Sequence, residues 1–224
     1  MAYKSKLIIL LILFVSGGNL FAQEQDFKLW TGVQIEKEIV NNLNLDLELN
    51  NRLEDNLNQR DESFLDLGIH YYINDLKLSI LYRFSNENKK RDNYIYSNRF
   101  SYQLSYKYEL QRFRIDLRSR YQSYYEQWFS SENGMIAENY FRNRIKLRYD
   151  ISGSPIEPLI SFESFIGTDQ DNANQFLKQR ISLGANYNIN KKNTIGIVFH
   201  IQNEKNVSNP TDNYILSLSY SFKL

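Results

Sequence analysis

The sequence predicts an all-β protein: a transmembrane, antiparallel, up-and-down β-barrel of about twelve strands, with about ten strands as the alternative. Three observations predict this fold. Apolar and polar residues alternate along many segments, short turns alternate with longer polar loops, and aromatic residues concentrate near segment ends. This combination is typical of strands that have one face in lipid and the other in a wet lumen.

The first 22 residues have the pattern of a cleavable signal peptide. Lys4 and Lys6 precede an apolar run at 7–15, and the bond after Ala22 is the expected cleavage point. The run is far shorter than the roughly 20 residues that a spanning helix needs. The chain has no cysteine, so a lipoprotein anchor is excluded. We therefore expect an exported protein whose single domain, 23–224, lies in the bacterial outer membrane as a barrel.

Strict alternation along the mature chain predicts its strands. The clearest case interleaves Leu43, Leu45, Leu47 and Leu49 with polar residues, as a strand with one apolar face requires. Comparable segments lie at 27–35, 43–49, 65–73, 76–84, 94–108, 113–121, 141–149, 160–166, 177–189, 195–201 and 214–224. These are eleven, whereas a bacterial barrel with both ends in the periplasm has an even number. Parity favours twelve strands, or ten if 27–35 does not span in the usual way.

The connections between these segments sort into two alternating kinds. Short turns are predicted at 41–42, 74–75, 111–112, 153–158 and 190–193. Longer polar loops are predicted at 54–62, 86–93, 125–139, 167–174 and 203–212. Outer-membrane barrels have short turns on the periplasmic side and longer loops outside.

The last predicted strand carries aromatic and aliphatic residues on one face, at Tyr214, Leu216, Leu218, Tyr220, Phe222 and Leu224. This face resembles the terminal signal that the barrel-assembly machinery reads, although Lys223 and Leu224 follow Phe222. The expected partners are therefore outer-membrane lipid and, during insertion, that machinery. We expect a monomer.

Several stretches also resemble a known family. They are residues 26–33, which open the mature chain, residues 130–149, which include the longest loop, and the turn at 154–158. All three are similar to the bacterial exported family named domain of unknown function 2490, and the likeness covers essentially the whole mature chain. The resemblance implies an outer-membrane β-barrel and no particular activity.

If the apolar faces meet lipid, the alternate residues line the lumen. Basic residues share the inner faces of neighbouring segments, at Arg112, Arg114, Arg118, Arg120, Arg142, Arg144, Lys146, Arg148, Lys178 and Arg180. Acidic residues on early segments should lie opposite them, at Asp46, Glu48 and Asp66. Guanidinium groups bind carboxylate, sulfate or phosphate groups through paired hydrogen bonds. The pattern favours a porin-like channel for small anionic solutes.

Two other interpretations remain open. The arginines can pair with Glu109, Asp116, Glu163, Asp46 and Glu48, which would fill the lumen and make a non-conducting structural barrel. The loop at 125–139, which carries Trp128 and Phe129, would suit a barrel that interacts with a surface partner.

Catalysis and metal binding have weak support in the sequence. A lipid hydrolase or acyltransferase would need a serine beside His70 or His200; Ser217 and Ser219 are candidates, but no motif marks a nucleophile. The acidic loop around 169–174 has Ala173 where calcium would need a ligand. A net charge of +1 argues against nucleic-acid binding. We expect no enzyme activity, cofactor or metal.

Overall fold

The computed structural model describes residues 24–90, 93–126, 137–168, 174–207 and 209–224. Within these ranges the chain forms one closed barrel of eleven strands, which confirms the predicted all-β barrel. The strands are β1 (Glu24–Val40), β2 (Leu43–Glu54), β3 (Gln59–Ile73), β4 (Leu76–Lys90), β5 (Asn93–Leu110), β6 (Phe113–Glu126), β7 (Ala137–Tyr149), β8 (Ile156–Gly167), β9 (Phe176–Asn188), β10 (Asn193–Glu204) and β11 (Thr211–Lys223). The predicted signal peptide, Trp128 and Phe129 lie outside the described residues.

The barrel closes through a parallel pair of strands. Consecutive strands pair antiparallel around the sheet, but β1 pairs with β11 in parallel, from Glu24 opposite Thr211 to Glu36 opposite Lys223. The expectation of twelve strands, or ten, is therefore wrong for the described chain, which has eleven. A closed barrel needs an even number of strands only when every neighbouring pair of strands is antiparallel. One parallel pair allows an odd number of strands.

The two rims of the barrel differ. The short-turn rim carries the connections at 41–42, 74–75, 111–112, 150–155 and 189–192. The long-loop rim carries the other connections and the start of β1. Two of its predicted loops are much shorter than expected, because β3 already begins at Gln59 and β4 continues to Lys90. The outward residues Asn86 and Asn88 still pair with β5, since backbone hydrogen bonds continue a ladder beyond the apolar part of a strand.

Asparagine makes two of the tight turns possible. Asn42 and Asn74 have φ of 67° and 54°, in the left-handed region that asparagine tolerates better than most residues. Gln111 takes the same conformation, with φ of 54°, in the turn between β5 and β6. These turns let adjacent strands return directly, so the register of the barrel wall follows from them.

The barrel is apolar outside and polar inside. Among the described residues, 43 large hydrophobic side chains are exposed, whereas six hydrophobic residues are buried. A soluble barrel shows the opposite arrangement, with an apolar core inside the wall. In the same residues no helix is long or apolar enough to cross a membrane. The inward faces of the strands therefore hold the polar groups from which any site must be built.

Candidate functional site: the arginine-lined lumen

Arginines face one another across neighbouring strands of the inner wall. The strand register places four arginine pairs directly opposite, namely Arg83 with Arg99, Arg114 with Arg148, Arg118 with Arg144, and Arg120 with Arg142. Like charges directly opposite in a sheet destabilise it. Each pair therefore needs an anion nearby, either from the chain or from a ligand.

Carboxylates compensate some of these arginines well. Arg83 donates from Nε and Nη2 to the two oxygens of Asp66, at 2.7 and 2.8 Å. Arg148 donates to both oxygens of Asp116 in the same way, at 2.8 Å each. Such two-pronged pairs fix the orientation of the guanidinium plane.

Glu163 is the central acid of the inner wall. It is 4% exposed, and three arginines from β6, β7 and β9 converge on it. Arg118 donates to Oε1, Arg142 lies 2.9 Å from the same oxygen, and Arg180 lies 3.7 Å from Oε2. One buried carboxylate thus holds together side chains from three strands.

Arg99 and Arg120 have no carboxylate within ion-pair distance among the described residues. Arg120 donates from Nε and Nη2 to Gln103, at 2.9 and 2.6 Å, and Gln103 is neutral. Arg99 forms no hydrogen bond or ion pair with any residue that the structure describes, and its Nε is buried without a partner. A buried donor without an acceptor costs free energy, so Arg99 is open to an acceptor from outside the chain.

Both arginines line a cavity of about 500 Å³, here called the upper cavity, that adjoins the long-loop rim. Its charged lining consists of Arg52, Arg83, Lys89, Arg99, Arg120, Arg142, Lys178, Arg180, Glu87, Glu138 and Glu204. Eight cations thus surround a space with three carboxylates. A volume of this size suits a small molecule.

Aromatic rings hold several of these cations in place. The Cζ atoms of Arg142 and Arg180 lie 4.4 and 5.3 Å from the centre of the Phe165 ring. On the opposite side, Arg83 lies 3.3 Å from the Phe64 ring, and Arg52 contacts both Phe64 and Trp30. A guanidinium stacked on a ring keeps its N–H edges free for hydrogen bonds in its own plane. The rings therefore fix the orientation of these guanidinium groups.

A second cavity of about 730 Å³, the lower cavity, adjoins the short-turn rim. Its lining includes Arg114, Arg148, Lys191, Lys192 and Lys223, together with asparagine and serine side chains. Glu36 and Glu157 contribute the carboxylates. Of these cations, Arg148 is bound by Asp116 and contacts Glu157 at 3.4 Å.

Side chains fill the lumen between the two cavities. On β8 and β9, the inward residues between the two linings include Glu163, Ser161 and Ser182, which are 4%, 8% and 5% exposed. On β6, Arg118 occupies the same interval and binds Glu163. We call this filled section the closed layer.

A buried serine–histidine–aspartate chain lies across β2, β3 and β4. His70 Nδ1 lies 2.9 Å from Ser79 Oγ, and its Nε2 contacts the carboxylate of Asp46. Gly68 makes this contact possible, because a Cβ there would overlap the Asp46 carboxylate. Asp46, His70 and Ser79 are each at most 8% exposed, so this hydrogen-bonded group joins the three strands inside the wall. Sequence reasoning missed it because register alone brings Ser79 beside His70.

The other residues singled out from the sequence lie as follows. Arg112 is exposed in the turn between β5 and β6, and Arg114 pairs with Glu109 at 3.1 Å. Lys178 pairs with Glu204 at 3.3 Å, and Arg180 donates to Gln202. His200 bonds to Ser182, at 2.7 Å, in place of the candidates Ser217 and Ser219.

Three further predicted positions are also inside the wall. Lys146 lies opposite Asp116, and Arg144 lies opposite Glu163. Glu48 accepts a hydrogen bond from Asn50 at 2.8 Å instead of binding an arginine. The described residues contain no group of three or more histidine, cysteine, aspartate or glutamate side chains placed to hold a metal ion. Asp169 and Asp171, from the acidic loop, lie outside the described residues.

Comparison with known proteins supports the resemblance seen in the sequence. The profile of the family described as "Protein of unknown function (DUF2490)" matches residues 27–214. No curated protein matches the chain. Among solved structures, the β domain of the Bordetella autotransporter BrkA matches with a TM-score of 0.47 and 10% sequence identity, covering 80% of this chain and 82% of that one.

Proposed function

We propose that this chain, which belongs to the DUF2490 family of proteins of unknown function, is a bacterial outer-membrane β-barrel that takes small anionic solutes into its upper cavity. One observation carries the binding role: Arg99 and Arg120 line this cavity and have no carboxylate partner among the described residues. Their charges are expensive to keep in an enclosed space without an anion. The proposal assigns no reaction to the barrel.

The outer face of the wall supports the membrane location. On β4, outward apolar residues run from Leu76 to Phe84, eight positions apart. At about 3.4 Å per residue and a tilt of about 40°, this covers roughly 20 Å along the barrel axis, close to the apolar band of outer-membrane barrels. Exposed apolar surface of this extent marks a lipid or protein contact.

Aromatic residues border this band on both sides. Phe113 packs against Tyr149 near the short-turn rim, with ring centres 4.9 Å apart. Phe84 stacks on Tyr96 toward the long-loop rim, at 5.5 Å. Such girdles sit at the headgroup level of a bilayer.

The proposed location also requires export and insertion. A signal peptide cleaved near Ala22 would export the chain, and the barrel-assembly machinery would insert it by recognising the outward face of β11.

Labelling of introduced cysteines tests both the location and the parallel seam, since the chain has no cysteine of its own. We expect a membrane-impermeant maleimide to label Lys205→Cys and Gln25→Cys on intact cells. Lys191→Cys, on the short-turn rim, should react only after the outer membrane is permeabilised. If Gln25→Cys instead behaves like Lys191→Cys, β1 does not run parallel to β11.

Conduction is the second candidate function. The observation that favours it is that side chains alone, such as Arg118 and Glu163, fill the described lumen between the two cavities. Rearrangement of these side chains would join the cavities into an arginine-lined path. Planar-bilayer currents that are selective for anions over cations, with a selectivity that changes in Arg144→Glu, would favour a channel. If the barrel carries no current in the bilayer, conduction is ruled out and the binding role stands.

Calorimetric titration of the refolded barrel with inorganic pyrophosphate tests the binding role. We expect Arg99→Gln/Arg120→Gln to weaken pyrophosphate binding by tenfold or more, because each lost charge-assisted hydrogen bond contributes about 1.5–3 kcal/mol. Arg112→Gln/Arg114→Gln removes the same charge at the short-turn rim and should leave the affinity unchanged. Equal weakening by both double variants would contradict a local site.

A further inference from the structure

The charge balance of the upper cavity indicates how many charges its ligand carries. Eight cations and three carboxylates line the cavity, and the three carboxylates, Glu87, Glu138 and Glu204, belong to strand ends near the long-loop rim. Glu204 already binds Lys178 at 3.3 Å, and Glu87 accepts from Tyr124 at 2.8 Å. Among the described residues, the ion pairs of Glu87 and Glu204 are with Lys89 and Lys178 and not with an arginine of the cavity.

Two buried glutamates beneath the cavity compensate part of the remaining charge. Glu62 lies 2.6 Å from Arg52 and 3.4 Å from Arg83, and Glu163 serves Arg142 and Arg180. Arg52, Arg83, Lys89 and Lys178 each pair with a carboxylate of their own, namely Glu62, Asp66, Glu126 and Glu204. The other four cations of the cavity, Arg99, Arg120, Arg142 and Arg180, have only Glu163 within ion-pair distance among the described residues, so about three of the eight lack a carboxylate of their own. A single monovalent anion cannot neutralise them.

The arginine N–H groups that lack a carboxylate acceptor lie on separate strands. Arg99 is on β5, Arg120 is on β6, and Arg142 on β7 donates its Nη1 to the neutral Gln122 at 2.9 Å. Stacking on Phe165 and on Tyr124 limits the movement of Arg142 and Arg99, whose Cζ atoms lie 4.4 and 5.5 Å from the ring centres. Arginines held apart on different strands cannot all converge on one small anion. A ligand with several anionic groups can meet them together.

We propose that the ligand of the upper cavity is a small soluble polyanion with about three negative charges, carried on phosphate or carboxylate groups. This inference rests on the proposed anion-binding function and adds the valence of the ligand. Phosphate and carboxylate groups both accept paired hydrogen bonds from a guanidinium edge. The cavity volume of about 500 Å³ admits a compact molecule and excludes a long polymer from lying wholly inside.

A valence series at constant ionic strength tests the proposal. Inorganic phosphate, pyrophosphate and tripolyphosphate are titrated into the refolded barrel, and binding heat is measured. We expect tripolyphosphate to bind at least about 100-fold tighter than phosphate, since each added anionic group gains at least one charge-assisted contact. In Arg99→Gln/Arg120→Gln, this preference should fall to about tenfold or less. Arg112→Gln/Arg114→Gln should retain it.

The outcomes separate the two proposals. Equal affinities for the three phosphates would overturn the polyanion inference while leaving the anion-binding function in place. Absence of binding by all three to the folded wild-type barrel would overturn both. Loss of the preference in Arg112→Gln/Arg114→Gln as well would show that overall charge decides it, and this too would overturn a site at Arg99 and Arg120. Circular dichroism of each variant establishes that the barrel is folded.

Discussion

Replacement of Glu163 by glutamine is expected to destabilise the barrel by about 3–5 kcal/mol, because it leaves buried arginines without their shared counter-charge. Arg118, Arg142 and Arg180 all approach this carboxylate, which is 4% exposed. The glutamine side chain keeps the volume of glutamate and one of its acceptors, so the loss reports charge. Denaturant titration of the barrel refolded in lipid vesicles measures the effect.

Glu109→Gln is the matched control for this prediction. Glu109 also contacts two cations, Lys107 at 3.2 Å and Arg114 at 3.1 Å, but its side chain is 53% exposed. Exposed ion pairs are screened by water and contribute little to stability, so the control should change little. A loss below about 1 kcal/mol in Glu163→Gln would show that Glu163 does not hold the closed layer together.

The same variant also connects the closed layer with the upper cavity. A polyanion bound beside Arg142 and Arg180 can take over part of the role of Glu163. Pyrophosphate should therefore restore stability to Glu163→Gln more than it stabilises the wild type, because a ligand stabilises the folded state by an amount that grows with its affinity. If closure of the lumen depends on Glu163, the single-channel conductance of Glu163→Gln should also exceed that of the wild type.

Leu183→Arg is expected to cost about 2–4 kcal/mol in a bilayer, because in the proposed membrane location it places a charge against lipid near the middle of β9. Leu183 is 65% exposed and lies between the exposed residues Ile160 of β8 and Phe199 of β10. In a water-soluble barrel the same substitution at such an exposed position would change stability by about 0.5 kcal/mol or less. This contrast makes the variant decisive for the membrane location.

Ile189→Arg provides the control for lipid contact. Ile189 is 50% exposed and follows β9 at the short-turn rim, where the cost of an arginine falls to about 0–1 kcal/mol. Free energies of unfolding in phosphatidylcholine vesicles, compared for both variants, measure the depth dependence. Two equally small losses would mean that the apolar face does not contact lipid.

The wall of the barrel was predictable because its signal is local. Alternation such as Leu43 to Leu49 places successive side chains on opposite faces whatever the strand pairs with. The strand ends were less predictable: Asn86 and Asn88 look like loop residues, yet their backbone continues the ladder with β5. Polar composition indicates where the apolar band ends, and hydrogen bonding decides where a strand ends.

The partners inside the lumen were only partly predictable. The basic residues of β6 and β7 could be placed on the inner face from their spacing alone. The sequence also suggested Asp46 and Glu48 as partners for arginine, whereas Asp46 contacts His70 and Glu48 accepts from Asn50. Side-chain pairs across strands depend on the register and tilt of those strands, and the alternation of residues along one strand predicts neither.

By itself, the sequence determined that the chain forms an all-β barrel with one apolar and one polar face, because period-two alternation is a property of each strand alone. The tertiary structure decided three further features: the parallel seam between β1 and β11, the convergence of three arginines on Glu163, and, within the described ranges, the lack of a carboxylate partner for Arg99 and Arg120. Each depends on which strands become neighbours when the sheet closes, and closure joins residues from opposite ends of the chain.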